Sequence, residues 1–295
     1  MIKNYWLKFI IPAFICISLV KPVYPQFYEK DTLFHPYHVN YWVTGGTILG
    51  GITLEKVGVS WITNKSQISL GELQNLNRND ITSIDRWALN FDPSQRVKYE
   101  NLSNYMQTVI VFLPFVTMLD PTMRKDWLDL LLIYLQTQAI TNNFYLYSPF
   151  GATFQNRLRP VVYYDAVDIG KRTEPNNRNS LYSGHVAAAA EASFFTAKIF
   201  CDYHPELGMN KYFIYGAAAI PPLIVSYFRL RALAHFPTDL MVGFGVGALC
   251  GILVPEFHRI DDGKMSLGLY SNPEATGIAI TWCTDFFNWN TERIR

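Results

Sequence analysis

Arg229, His235 and Asp239 follow one another as Arg-x5-His-x3-Asp within FRLRALAHFPTD, residues 228–239, at the mouth of an apolar segment. Pro237 suits the first turn of a helix, so His235 stands at its entrance with Asp239 about one turn on, within reach. A carboxylate in that place can fix the imidazole tautomer and leave the other ring nitrogen free to attack. Arg229 adds a planar cation shaped for phosphate oxygens. The combination predicts phosphoryl chemistry through a histidine.

Two further clusters precede it, Arg157-Leu158-Arg159-Pro160 and Ser183-Gly184-His185. The first follows an apolar run that ends near Tyr147, and the second opens the alanine-rich stretch Ala187 to Phe200. The third bridges the apolar runs Tyr212 to Phe228 and Leu240 to Val254. In an antiparallel bundle with short connections, all three clusters fall at one end. A phosphate lodged there would meet Ser183, the N–H groups of a helix N-terminus and two guanidinium groups.

The elements that must hold these residues are helices. Tyr105 to Leu119 and Trp127 to Ile140 are apolar runs parted by the polar break DPTMRKD, and the second continues amphipathically to Tyr147. Pro221-Pro222 marks a kink in the run before Phe228. Gly243, Gly247 and Gly251 form a small-residue ridge that lets helices approach closely. Tyr41 to Ile62 is semi-apolar and broken by glycines, which leaves a membrane helix, a re-entrant segment or a peripheral one open. In the tail, SLGLYSNPEATGIAITW suits a hairpin around Asn272-Pro273. The expected fold is all-α, an antiparallel helical bundle embedded in or associated with a membrane. Its expected parts are a signal peptide or anchor over 1–22, a mixed segment over 23–98, a helical core over 99–255 and a polar tail over 256–295.

Composition agrees. The chain has 295 residues, of which 17% are charged and 15% aromatic, and a net charge of +1. The low charge and abundant aromatics fit a membrane protein. The near-zero net charge gives no footing for nucleic acid. A mean hydropathy of +0.06 requires sizeable polar segments as well. Lys3 and Lys8 before the apolar stretch Phe9 to Val20 read as a secretory signal or signal anchor. Cys16, Cys201, Cys250 and Cys283 are far apart and read as small hydrophobes rather than metal ligands or a disulfide set. No His-Glu-x2-His pattern or cysteine pair points to zinc. Arg231 reads as an interfacial anchor, and His35, His38, His204 and His258 as residues of solvated loops.

The three clusters together resemble the signature motifs of the type 2 phosphatidic acid phosphatase family, related to bacterial acid phosphatases and vanadium haloperoxidases. The family pattern is Lys-x6-Arg-Pro, Pro-Ser-Gly-His and Ser-Arg-x5-His-x3-Asp, and the resemblance covers roughly residues 100–255. It implies a nucleophile at His235, oriented by Asp239, and a phosphohistidine intermediate. It implies that His185 protonates the leaving alcohol and then activates water, with Arg159, Arg229, Ser183 and Gly184 on the phosphoryl oxygens. No metal and no cofactor enter this scheme. The implied partners are a phosphorylated lipid, or another phosphomonoester, and a membrane.

Three positions depart from the pattern: Ala152 stands where the family lysine falls, Tyr182 precedes Ser183, and Phe228 precedes Arg229. A lost phosphate cation is worth roughly 2 kcal/mol in a desolvated site. Arg157, Lys171, Arg172 and Arg178 are the cations available to replace it. Ala152 also motivates a non-catalytic, phosphate- or lipid-binding reading, and the shared pocket a vanadium haloperoxidase. Lys3, Lys8 and the Arg124-Lys125 turn, set on the cytoplasmic side, place the protein in a bacterial inner membrane with the site facing the periplasm. An exported periplasmic protein is the alternative.

Overall fold

The computed structural model describes residues 35–260 and the backbone of two strands, Met265–Ser271 and Thr276–Trp282. The N-terminal apolar stretch Phe9 to Val20 lies outside the described residues. The principal helices are α1 (Tyr41–Thr63), α2 (Arg96–Val111), α3 (Trp127–Tyr147), α4 (Gly184–Tyr203), α5 (Lys211–Ala218), α6 (Ile220–Arg231) and α7 (Pro237–His258). They alternate in direction, with α5 and α6 forming one bent column. The result is the all-α antiparallel bundle expected from the sequence. Strands β1 (Met265–Ser271) and β2 (Thr276–Trp282) pair antiparallel with Ser271 opposite Thr276, which is the hairpin read around Asn272-Pro273.

Local chemistry sets the helix ends. Ser183 caps α4 by accepting the Val186 N–H, and the alanine run that follows has the highest helix propensity. Ser148 precedes Pro149, which disfavours continued helix, so α3 stops at Tyr147. Pro221 and Pro222 begin α6 and separate it from α5 at Ala219. Phe236, the residue before α7, has no side-chain acceptor for the helix's first N–H groups. Asp239 at the third helical position turns back to accept the Phe236 N–H at 2.8 Å.

The central helix is α4, with 14 of its 20 residues buried. Val186, Ala189, Ala192, Phe195 and Ile199 share one core with Ile133 and Tyr134 of α3, Val225 and Leu230 of α6, and Leu240 of α7. On another side the glycine ridge of α7 lies directly on α4. A Cβ at Gly243 would come within 2.6 Å of Ser183 O, at Gly247 within 2.1 Å of Ala187 O, and at Gly251 within 2.5 Å of Glu191 O. Gly245, between them, faces open space. Gly247→Ala must therefore part the two helices, at about 3 kcal/mol. Thermal unfolding in detergent is the check: the midpoint falls clearly in Gly247→Ala and holds or rises in Gly245→Ala.

Residues 41–62, read from the sequence as semi-apolar and broken by glycines, lie in one continuous helix, α1. It is a 23-residue helix laid along α3, and Gly51 and Gly58 are points of contact rather than interruptions, while Gly45 and Gly46 face open space. A Cβ at Gly51 would lie 2.8 Å from the Ala139 Cβ, and one at Gly58 would lie 2.9 Å from the Leu146 Cδ1. Asn143 Nδ2 and Tyr147 Oη donate to the carbonyls of Gly51 and Leu54.

Among the described residues, three helical stretches are long and apolar enough to cross a membrane: Pro93–Leu119, Pro205–Arg231 and Pro237–His258. Large apolar side chains cover their outer faces, among them Val109, Phe112, Phe213, Leu223, Met241 and Leu249. A surface of this kind is stable against lipid and not against water. The apolar runs of 12–17 residues in the sequence understate the helices, because polar and aromatic ends extend them.

At the end away from the sequence clusters, charged groups close the bundle. Lys198 pairs with Asp202 and Glu256, and Tyr37 donates to Asp202. Three histidines expected in solvated loops belong to this end. His35 meets Asp126, His204 lies between Asp120 and Glu206, and His258 sits in the last turn of α7. Cys201 and Cys250 are buried free thiols, as expected of small hydrophobes.

Candidate active site

The opposite end of the bundle gathers the C-termini of α3 and α6, the N-termini of α4 and α7, and the loop 148–183. The candidate site residues Arg159, Ser183, Gly184, His185, Arg229, His235 and Asp239 all stand there. Helix α6 delivers Arg229 in its last turn and then ends in a Schellman cap. The Leu233 N–H donates to Leu230 O at 3.0 Å and the Ala234 N–H to Arg229 O at 3.2 Å. Leu233 takes the left-handed conformation usually given to glycine, with φ 54°. Such backbone costs on the order of 1 kcal/mol, which full burial of the leucine side chain offsets. The sharp reversal puts His235 directly behind Arg229.

His235 is 2% exposed. Its Nδ1 donates to the backbone carbonyl of Ser180 at 2.6 Å, and its Nε2 has no hydrogen-bond partner among the described residues. Burial, then the Arg159 and Arg229 charges, hold the imidazole well below the ordinary histidine range, so it is neutral at pH 7. A neutral imidazole with Nδ1 tied and Nε2 bare is a nucleophile in its reactive tautomer.

Asp239 reaches His235 through Ser180 rather than directly. One carboxylate oxygen takes the Ser180 Oγ–H at 2.6 Å and the Phe236 N–H, and the other takes Arg157. The helix position that suits capping thereby draws the carboxylate off the imidazole. Asp239 thus holds the segment whose carbonyl fixes the His235 tautomer.

The charges of Arg159 and Arg229 both act on His235, which sets the two guanidinium groups together beside it. Neither has a carboxylate partner among the described residues. Arg229, 4% exposed, donates from Nη1 to Ser103 Oγ at 3.3 Å, and Arg159 reaches only Asn176 at 3.5 Å. The Nε of each is buried without a partner. Two guanidinium groups in this condition call for an anion.

Ser183 is fully buried at the cap of α4, and its N–H is tied to Asp239 O at 3.2 Å. Gly184 follows, its α-carbon so close to the Tyr145 ring that a Cβ would lie 3.3 Å from it. His185, partly exposed, faces the opening, and its Nε2 meets Asn104 Oδ1 at 2.9 Å. Tyr182 is buried edge-on against Tyr145, and Phe228 packs on Tyr99 and Tyr227. Both departures therefore shape the pocket wall.

The four cations considered as replacements for the lysine are all engaged elsewhere. Arg157 bridges Asp85 and Asp239, Lys171 pairs with Glu174, Arg172 with Asp165, and Arg178 with Glu72. A sequence shows cations but not the carboxylates folded against them, and that is why these four looked available. At position 152 itself, Ala152 is buried, and Lys65 Nζ donates to its carbonyl at 2.6 Å. Burial, with Arg178 nearby, lowers the Lys65 amine to about 8. Arg231 is turned to aromatic rings. Its guanidinium lies over the rings of Tyr99, Phe91 and Tyr227 at 4.7, 5.1 and 5.9 Å.

Ser103, Asn104, Ser180 and Asp85 are contributors that sequence reasoning missed. Ser103 and Asn104 carried one available signal, adjacent polar residues at the start of an apolar helix. Ser180 acts through its backbone carbonyl, and Asp85 is distant in sequence, so neither had a signal.

Fold and site define a helical-bundle protein with two arginines gathered at a buried histidine. Residues 126–261 match the model of the PAP2 superfamily. Among solved structures, the chain is similar to a transmembrane PAP2-type phosphatidylglycerolphosphate phosphatase from Bacillus subtilis. Identity is 19% over 72% of this chain and 94% of that one, with a TM-score of 0.41. No curated protein matches the chain.

Proposed function

We propose that the protein is a metal-independent phosphatase that hydrolyses a phosphomonoester or pyrophosphate of a lipid through a phosphohistidine on His235. The observation that carries this reading is the pair Arg159–Arg229, with no carboxylate ion-paired to either among the described residues, beside the bare Nε2 of His235. In the proposed reaction Nε2 attacks phosphorus while the bond to the leaving oxygen breaks. Burial and the Arg229 and Arg159 charges lower His185 to about 3, so it takes up a proton together with the phosphate dianion, which offsets those charges. It gives that proton to the leaving oxygen, then takes one from a water that attacks the phosphohistidine and frees phosphate and His235. Arg159, Arg229 and the N-terminus of α4, with Ser183 and Gly184, stabilise the charge spread over the equatorial oxygens. Asn104 occupies the edge of His185 at which the leaving oxygen would stand.

The apolar outer faces of the bundle favour a lipid substrate that approaches within the membrane. The site is assigned to the periplasmic side, because the Arg124-Lys125 turn lies at the opposite end of the bundle. A single assay addresses activity and sidedness. A water-soluble, short-chain lipid phosphate is given to intact spheroplasts and to detergent-lysed ones, with chelator present. Phosphate release in both, blocked by vanadate, is expected. Release only after lysis would reverse the sidedness. A purified protein that binds vanadate but releases nothing would favour the binding-only reading that Ala152 motivates.

A further inference from the structure

We propose that Asp85, which lies outside the matched domain, is a positioning residue of this site, acting through Arg157 and Asp239 on His235. Its kinetic test rests on the phosphatase reading above.

Asp85 is 1% exposed, in the short helical turn Ser83–Arg86. A carboxylate that deep is tolerated only when its oxygens are satisfied. Here one oxygen accepts the Thr238 N–H at 3.0 Å. The other accepts Arg157 Nη2 at 2.6 Å, Thr238 Oγ1 at 2.8 Å and Thr82 Oγ1 at 3.1 Å. All but the last of these partners belong to the machinery around His235.

The Thr238 bond is a helix cap supplied from a distance. Phe236 cannot accept from the first N–H groups of α7, and Asp85 does so instead, setting a negative charge at the positive end of the helix. The Arg157 bond is a charge bridge. The guanidinium fork gives Nη2 to Asp85 and Nη1 to Asp239 and Thr238, so two buried carboxylates are held by one cation. The same guanidinium lies 4.9 Å above the ring of Phe236, next in the chain to His235.

From there the contacts run on without a gap. Asp239 takes the hydroxyl of Ser180, and the Ser180 carbonyl takes Nδ1 of His235. Without Asp85, the outer half of the Arg157 fork and the first turn of α7 lose their anchor, and Asp239 is free to follow Arg157. The segment between α1 and α2 thereby contributes to the active end without touching the substrate.

The test compares wild type, Asp85→Asn and Arg157→Lys as purified, monodisperse protein in detergent. Asparagine can still accept the Thr238 N–H but offers no charge to Arg157. Lysine keeps one positive charge and cannot span both carboxylates. Each variant is expected to lose about 10- to 100-fold in kcat while KM stays within about threefold. A kcat within twofold of wild type in either folded variant overturns the proposal, as does an equal loss through KM. If wild type itself releases no phosphate, the phosphatase reading fails, and 15N spectra of histidine-labelled protein carry the test instead. The proposal expects His235 to show a protonated Nδ1 in wild type and to lose that single tautomer in Asp85→Asn. Unchanged His235 signals in that variant overturn it.

Discussion

Replacing His235 by alanine is expected to abolish phosphate release, a loss of about 10⁴-fold or more in kcat, because no other group can take over the attack. His185 is the nearest other imidazole in chemical type, but its Nε2 is engaged with Asn104 at the opening of the site. The fold should survive the change. His235 makes one side-chain hydrogen bond, to a backbone carbonyl, and its neighbours Phe236 and Leu233 are buried apolar anchors in their own right. Binding should survive as well, since both arginines and the N-terminus of α4 remain. The expected pattern is vanadate binding near the wild-type level with no turnover, read by release of inorganic phosphate and by vanadate titration. Activity near that of wild type in this variant would remove the phosphohistidine from the mechanism.

Arg229→Ala should show the opposite division. It is expected to lose about 10²- to 10³-fold in kcat/KM, the usual consequence of removing one preorganised donor from a charge-stabilising pocket. Vanadate affinity should fall with it. Arg229 is nearly fully buried, unpaired by any carboxylate, and tethered only to Ser103. Its charge therefore has no structural task that an anion would interrupt. Arg229→Lys should recover little, since an ammonium cannot present two parallel N–H groups to a phosphoryl oxygen pair. An Arg229→Ala enzyme with unaltered kcat/KM and vanadate affinity would show that the anion lies elsewhere.

The parts of this molecule visible in the sequence are those written as local patterns. His235, Arg229, Ser183, His185 and Arg159 all sit where an apolar run meets a proline, a glycine or a polar break, and helices in alternation then bring such places to one end. The ridge Gly243, Gly247 and Gly251 likewise announced a close helix contact, though not that its partner was the backbone of α4. Other features have no local signature. The bond from His235 to Ser180 goes to a carbonyl, which every residue has. Asp85 meets Thr238 across 153 positions of chain. Leu233 holds a conformation that glycine normally marks. Arg157 looked like a spare phosphate cation until two carboxylates were found against it. In α1, two of the glycines that appeared to break the helix, Gly51 and Gly58, instead allow it to lie against α3.

The glycine ridge also bears on how a bulky substrate could enter. At Gly243, Gly247 and Gly251 the backbones of α4 and α7 touch, so sliding drives backbone against backbone and parting leaves a void, and the two helices behave as one rigid wall. The wall made by α2 is different. It meets the site through one hydrogen bond from Arg229 to Ser103, at 3.3 Å, and one between His185 and Asn104, at 2.9 Å. Both bonds are cheap to exchange for bonds to an incoming molecule. If the proposed lipid substrate enters from the membrane, the α2 side is the expected route, with the wall of α4 and α7 staying still.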